Sequence, residues 1–473
     1  MKKFKKAMAL SLALAMGLSL VACGDKKEKE ETTEATTEAT TEAATEEAGD
    51  DTATDDASSS DAEGGAVELA MPAEDSAPIY CYSWNTEFGD RLQYVKDKYP
   101  QYADLIQYEN LGLGGGSDEY KTAIENAIAN GGEKVPSIIA CDDAVAKYFL
   151  ASEAIVPVAD LGITADMYSG AYQYTIDYAT IDGELKGMCW QATPGCFIYR
   201  TDIAEDVFGT SDPADIQEKV KDWDTFLATA EELKGKGYAI LSGPGDAKTP
   251  IIDNKSKPWV SDDTVNFDDA YVEYLEFAKK LYDGGYTNNN AAWTDGWNAD
   301  VSGNVFGWFG CTWFLYWTLG SNAAGTEAEG KFNMCQGPVS YHWGGTYLGV
   351  TDACPNKELA ALVMYTLCAD EEVLYKLSAE TLDYVNNKAV MQKITDDGKG
   401  ASDVLGGNDP VPVFMANAET IDVKNATEYD STMNGFIDNA SGAYNSGEIA
   451  TIDEAVETIK QSIRDAYQNL TVE

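Results

Sequence analysis

From residue 76 onward, short apolar runs alternate with longer stretches whose apolar residues recur at helical spacing, a pattern that predicts strands and amphipathic helices in turn. Residues 78–84 (PIYCYSW) form an apolar run closed by polar residues and predict a buried strand. Residues 87–99 predict a helix stopped by Pro100. A second strand is expected over 105–113. The turn Gly114-Gly115-Gly116-Ser117 then leads into a helix that Ser117 is placed to cap and that Gly131-Gly132 ends. Residues 136–141 (PSIIAC) predict a third strand, and Asp142 opens another helix. Strand and helix in this order predict parallel βαβ units. The second half continues the alternation, with strand-like 187–199, helix 223–236, strand 238–241, helix 267–282, strands 332–339 and 346–350, and helices 357–368, 371–378 and 452–469. Residues 305–317 (VFGWFGCTWFLYW) read as one aromatic strand whose alternate side chains enter the core, Trp317 among them. The class is α/β with at least two lobes.

The first 75 residues follow other rules. Lysines at 2, 3, 5 and 6 precede an uncharged apolar run over 7–22, the layout of a secretory signal and too short for a comfortable membrane span. The run ends Leu20-Val21-Ala22-Cys23-Gly24, which resembles the lipobox of bacterial lipoproteins. That resemblance implies cleavage before Cys23, a diacylglycerol on its sulfur, and anchoring by more than one acyl chain on the outer face of the cell membrane. Residues 24–75 repeat Thr-Thr-Glu-Ala, carry 18 acids against 3 bases and offer almost nothing to bury, so they are expected to be a disordered, extended tether.

Charge then narrows the function. The whole chain has a formal net charge of −47, of which −36 falls on residues 76–473. Nucleic-acid binding, which depends on cations against phosphates, is excluded as a partner class. The one histidine, His342, rules out a multi-His zinc site and leaves a single imidazole for any triad. No cofactor, metal or catalytic residue is expected. Gly112-x-Gly114-x-x-Ser117 lacks the third glycine of a dinucleotide fingerprint and reads as a turn. The pairs Asp262-Asp263, Asp268-Asp269 and Asp396-Asp397 lack the pattern of a calcium loop and read as surface. Apart from Cys23, eight cysteines remain, several in apolar strands, and buried free thiols are favoured over a full set of disulfides.

Several segments, in order, resemble the extracellular solute-binding proteins of ABC sugar importers, the maltose-binding-protein-like family. Gly183-Glu184-Leu185-Lys186-Gly187-Met188 followed by Phe197-Ile198-Tyr199-Arg200 and Ile203-Ala204 is similar to that family's crossover, with Arg200 where Asn or another polar residue is common. Trp223-Asp224-Thr225-Phe226 with Ala230-Glu231-Glu232-Leu233 matches a second motif. Trp343-Gly344-Gly345-Thr346-Tyr347-Leu348-Gly349-Val350 with Pro355-Asn356-Lys357-Glu358-Leu359-Ala360 matches a third. Their order and spacing across 76–473 carries the match. The resemblance implies a two-lobed periplasmic-binding-protein-like fold with hinge-crossing segments and a cleft. Lobe 1 would be 76–186 plus 338–382, and lobe 2 would be 187–337 plus 383–473. It also implies a monomer that closes on its ligand and hands it to the permease subunits of an ABC importer.

A neutral sugar needs flat aromatics for its C–H face and carboxylates or amides for its hydroxyls. Five of the ten tryptophans fall within 293–317. Strand ends place Trp84, Asn85 and Asp142 toward the cleft, and the crossover strand offers Trp190 and Gln191. Trp308 and Trp313 flank Gly310-Cys311-Thr312, with Trp313 the better candidate. Trp343 precedes Gly344 and Gly345, whose bare backbones would admit a ligand closely. Trp293 and Trp297, in a polar loop, are candidates to cap the cleft. His342 reads as a packing residue. The expected function is capture of a carbohydrate, with an oligosaccharide favoured. A surface glycoside hydrolase with paired carboxylates, a receptor for a non-sugar solute and a structural surface protein are the alternatives.

Overall fold

The apolar runs become strands because each is bounded by a turn or helix start that the sequence supplies. The computed structural model describes residues 69–473, so the leader, Cys23 and the tether up to residue 68 lie outside the described residues. Strands β1 (Ile79–Ser83), β2 (Ile106–Asn110) and β3 (Ile138–Asp142) alternate with helices α1 (Glu87–Lys98), α2 (Asp118–Asn130) and α3 (Asp143–Leu150). β1 pairs in parallel with both β2 and β3, as the βαβ pattern predicts. Ser117 accepts the Tyr120 amide at the start of α2, and Asp142 accepts the Ala144 amide at the start of α3. The later strands are β4 (Met188–Cys189), β5 (Cys196–Arg200), β6 (Gly307–Gly310), β7 (Phe332–Cys335) and β8 (Thr346–Val350). β8 and β4 join the first sheet antiparallel, giving the order β2-β1-β3-β8-β4. The second sheet, β6-β5-β7, is antiparallel throughout.

Two hydrophobic cores form. The first joins Ile79, Ile139 and Leu348 of the large sheet to Leu359 and Val363 of helix Lys357–Cys368, and extends to Val390 and Phe414. The second joins Phe197 and Phe309 to Phe226, Leu275, Ile437 and Ile459 from four helices. Strand alternation decides the membership: on β6, Trp308 packs into the first core and Phe309 into the second.

The aromatic run over 305–317 departs from the single strand expected. Only Gly307–Gly310 is strand, and the chain then turns into a helical segment with a π-helical stretch over Phe314–Gly320. Gly310 allows the reversal, because the Phe314 ring occupies the space where a Cβ would stand. Period two therefore ends at Gly310, and Trp317, expected in the core, is 55% exposed. Residues 238–241 are extended but make isolated bridges rather than a strand: Ala239 pairs with Val305 and Leu241 with Thr287. Asp262 and Asp263 form the turn of a short hairpin, both at positive φ, and Asp268 caps helix Asp269–Gly284. All eight cysteines of the described residues are buried free thiols.

Three segments run side by side where the chain passes between the sheets. One links β4 to β5, one links β7 to β8, and the third is the stretch around residues 384–387. They are laced by the Ala192 amide to the Tyr384 carbonyl (2.9 Å), Asn386 to Trp190 (2.8 Å), Gly195 to Tyr341 (2.8 Å) and Trp343 to Thr193 (3.2 Å). Asn386 locks the group. Its side chain accepts the Tyr172 amide at 3.0 Å and donates to the Cys189 carbonyl at 3.2 Å, and the residue is buried. Asn386→Ala leaves both buried groups unpaired and is expected to lower stability by about 2 kcal/mol or more. Urea unfolding checks this, with the midpoint falling and the slope unchanged.

Candidate ligand-binding site

The site is built on the crossing segment that ends at Gly345. Gly344 and Gly345 have φ of +83° and +105°, a region that side chains rarely adopt. Space restricts Gly344 as well: a Cβ there would stand 2.7 Å from Nε1 of Trp313. That Nε1 donates to the Trp343 carbonyl at 3.3 Å. The bare backbone thus seats an indole, and Trp313 meets Trp343 edge-on at 5.1 Å between ring centres.

Trp293 completes the wall. It stacks on Trp313 at 6.1 Å and 25°, lies 6.2 Å from Trp343 and 5.3 Å from Trp297. Its ring is 54% exposed although its neighbours are aromatic, and its φ is +69°. A bulky residue in that conformation costs of order 1 kcal/mol or more and persists only where its surroundings impose it. The surroundings are a knot on buried Asp300, which accepts Asn288 at 2.8 Å, Asn290 at 2.8 Å and Ser242 at 2.6 Å. Strain, exposure and a fixed loop together make Trp293 a candidate binding side chain.

Trp293, Trp297, Trp308 and Trp343 line a cavity of about 660 Å³, within the size range of small-molecule sites, and Trp313 braces Trp293 and Trp343 without itself lining it. Polar side chains share the lining with the indoles, among them Asp246, Lys248, Asn289, Asn290, Asp438 and Asn445. Asp246 accepts the Trp297 indole N–H at 3.0 Å and the Gly243 amide at 2.9 Å, and burial pushes its carboxyl up to about 7. Two atoms of lining residues, Nε1 of Trp308 and Oδ1 of Asn445, are buried without a hydrogen-bond partner.

Lys248, Thr249 and Trp343 are shared with a second, polar chamber of about 260 Å³. Asp143, Lys147 and Tyr178 come to it from the first-core side, and Ile252, Asp253 and Asn434 from the second. His342 Nδ1 lies 3.5 Å from Asp143, and the His342 amide donates to Asp253 at 2.7 Å. Lys255 pairs with Asp430 at 2.8 Å, and Lys248 pairs with Asp438. Burial pushes Asp143 up to about 6, and Asp253 up to about 6 despite the opposing pull of His342 and Lys255. Burial pushes the imidazole of His342 down. The chamber therefore presents carboxylates and ammonium groups that largely pair with one another, a lining suited to hydroxyl groups rather than to a net charge.

Of the residues chosen from sequence, Trp308 and Trp343 line the cavity, Trp313 and Gly344 pack together beside Trp343, and Gly345 lies against Thr193 and the Gln191 carbonyl. The other five are engaged in contacts of their own. Trp84 packs against Gly115 and edge-on to Tyr120, and Asn85 accepts the Glu87 amide. Asp142 caps α3, with its carboxyl pushed up to about 7 by burial and by Asp143. Trp190 is fully buried and stacked on Phe88 at 5.8 Å, and Gln191 donates to Thr346 at 3.1 Å. The structure adds Asp143, Asp246, Lys248 and Asp253. For Asp143 there was a signal: the first acid after β3 is used as the helix cap, which leaves the second for the cleft. Asp246 lies on the 3-10 turn Pro244–Ala247, Lys248 starts the short helix Lys248–Ile252 and Asp253 follows its end, elements too short to carry a periodic signal.

Residues 113–404 match the family described as bacterial extracellular solute-binding protein. The chain belongs to that family. No sequence among curated proteins matches this solute-binding protein. In structure, 83% of the chain aligns with 99% of a protein described as extracellular solute-binding protein family 1, with TM-score 0.70 and 18% identity. An ABC-transporter-associated binding protein of B. animalis subsp. lactis Bl-04, solved with β-1,6-galactobiose, aligns over 84% and 100% of the two chains with TM-score 0.63 and 20% identity. The galacto-N-biose/lacto-N-biose I-binding protein of the Bifidobacterium longum ABC transporter, solved with lacto-N-biose, aligns over 84% and 98% with TM-score 0.64 and 16% identity. The fold is the two-lobed periplasmic-binding-protein fold, and the family binds substrates.

The buried acids give this solute-binding protein a pH signature. Asp142, Asp143, Asp246 and Asp253 hold their protons to higher pH folded than unfolded. Their ionisation therefore favours the unfolded chain, and stability is lost as pH rises from the ordinary carboxylate range, about 4, through 6 to 7. The ligand-free protein is expected to melt at a higher temperature at about pH 5 than at about pH 8, and Asp143→Asn with Asp253→Asn should flatten that slope. Calorimetry across pH on both proteins checks it.

Proposed function

We propose that the chain is a lipid-anchored receptor that captures a carbohydrate, an oligosaccharide in particular, between two hinged lobes and delivers it to the permease subunits of an ABC importer. The observation that carries this reading is the cavity wall of Trp293 and Trp343, both braced by Trp313. Flat, fixed indoles fit the C–H face of a pyranose ring, and they bury area with few torsions to freeze. The adjoining polar chamber supplies acceptors and donors for hydroxyls. The strong negative charge of the chain suits a neutral ligand. Two structural neighbours are described with bound disaccharides, β-1,6-galactobiose and lacto-N-biose, and as parts of ABC transporters.

In this reading Cys23 carries the lipid, and the acidic tether holds a monomeric binding unit away from the outer face of the membrane. The lobes are 76–186 plus 338–382 and 187–337 plus 383–473, and the laced crossing segments form the hinge. The protein releases its glycan unaltered and is not an enzyme.

The test is thermal stability of the purified chain against β-galacto and malto oligosaccharides, with amino acids and short peptides as controls. A bound glycan at 100 times its Kd is expected to stabilise by about 2.7 kcal/mol. Trp343→Ala should weaken that glycan's binding about ten-fold, the equivalent of 1.4 kcal/mol. Stabilisation by peptides or amino acids alone would keep the fold and reject the sugar. Consumption of the glycan would favour the hydrolase.

A further inference from the structure

The helical segment after β6 is inverted in character. Phe314, Leu315, Thr318 and Leu319 face inward, while the outward positions are Trp313, Tyr316, Trp317 and Gly320. An outward helix face is ordinarily polar, and exposed apolar patches mark sites of interaction. Trp317 is 55% exposed, one helical turn beyond Trp313. Tyr316 is turned aside to a small pocket beside Tyr384 and Phe414.

The segment is also fixed. Val404 closes under Gly320, where a Cβ would come within 2.9 Å of it. The Asn322 side chain donates to the Thr318 carbonyl at 3.0 Å and to Asn298 at 3.2 Å. Asn298 lies on helix Asp295–Asp300, which also carries Trp297 of the cavity wall. The segment that carries Trp317 is thus tied through hydrogen bonds to a helix that borders the cavity. π-Helical turns are rare and often accompany function. Here the turn lies over Phe314–Gly320 and includes Trp317 itself.

We propose that Trp317, one helical turn beyond the Trp313 that braces the lining residues Trp293 and Trp343, forms an outer sugar subsite that stacks a ring of a glycan chain extending out of the cavity. This rests on the cavity being a glycan site. Trp313 and Trp317 are four positions apart, a rise along the helix of about 6 Å or slightly less, of the order of the spacing of successive rings in a sugar chain. The substrate class is accordingly a glycan longer than a disaccharide, with its inner rings against Trp293 and Trp343 and an outer ring on Trp317.

Calorimetric titration of the full chain with β-galacto and malto oligosaccharides, from disaccharide to hexasaccharide, tests this. Affinity is expected to rise with length. Trp317→Ala should lose about five- to ten-fold for the longer glycans and change the disaccharide by less than about two-fold, while Trp317→Tyr restores most of the loss. Length-independent affinity, or a Trp317→Ala protein that binds long glycans as the parent does, overturns the outer subsite and leaves the cavity reading intact. Loss of uptake by Trp317→Ala with glycan affinity unchanged also overturns it, and assigns that face to the membrane subunits. Absence of binding by every member of both series to the unsubstituted protein overturns the subsite together with the reading beneath it.

Discussion

The cavity depends on one contact: the Trp313 indole lying over Gly344 and donating to the Trp343 carbonyl. Any side chain at Gly344 would displace the indole and would also strain a backbone held at φ +83°. With Trp313 in place, Trp343 is held edge-on and Trp293 has a surface to stack against. The contact also couples two parts of the chain. Trp313 follows the second sheet, and Gly344 lies on the segment leading into the first. The cavity wall and the passage between the sheets are therefore one structural element, and a ligand against the wall acts directly on the region where the lobes would move.

In the proposed reading, the two chambers divide the work of holding a polyol. The aromatic chamber offers flat indole area flanked by polar side chains such as Asp246, Asn290 and Asn445. The polar chamber holds acids that burial keeps from ionising freely, next to lysines already committed to Asp430 and Asp438. Such a lining offers a ligand with net charge only a lone Lys147 amid several acids, so no cluster of one sign stands free to hold it. It favours hydroxyl groups, which both donate and accept. The cost of keeping those acids buried is a protein less stable at neutral pH than it would otherwise be, a common trade at a binding site.

Much of the fold was legible because it rests on local rules. The βαβ start of the chain, the caps at Ser117 and Asp142 and the aromatic strand β5 all follow from pattern and position. The cluster Trp308, Trp313, Trp343, Gly344 and Gly345 was legible from tryptophan density beside glycines. The failures share a physical cause, which is that periodicity is blind to where a chain reverses. Gly310 ends β6 early, so Trp317 stands on a helical outer face instead of in the core. Trp190 lies on the crossover as expected, but stacking on Phe88 takes it into the interior, a tertiary fact that no local pattern carries. Asp246 and Asp253 were invisible for the same reason: they sit on and just after short helical turns in a chain with many acids, distinguished only by what folds around them.

The most direct test of carbohydrate capture by this wall is a crystal structure of the chain grown with the glycan that stabilises it most. A sugar ring is expected to stack on the indoles of Trp293, Trp313 or Trp343, with hydroxyl groups bonded to Asp246 or to Asp143 and Asp253. A glycan held elsewhere, with that wall bare, would contradict it.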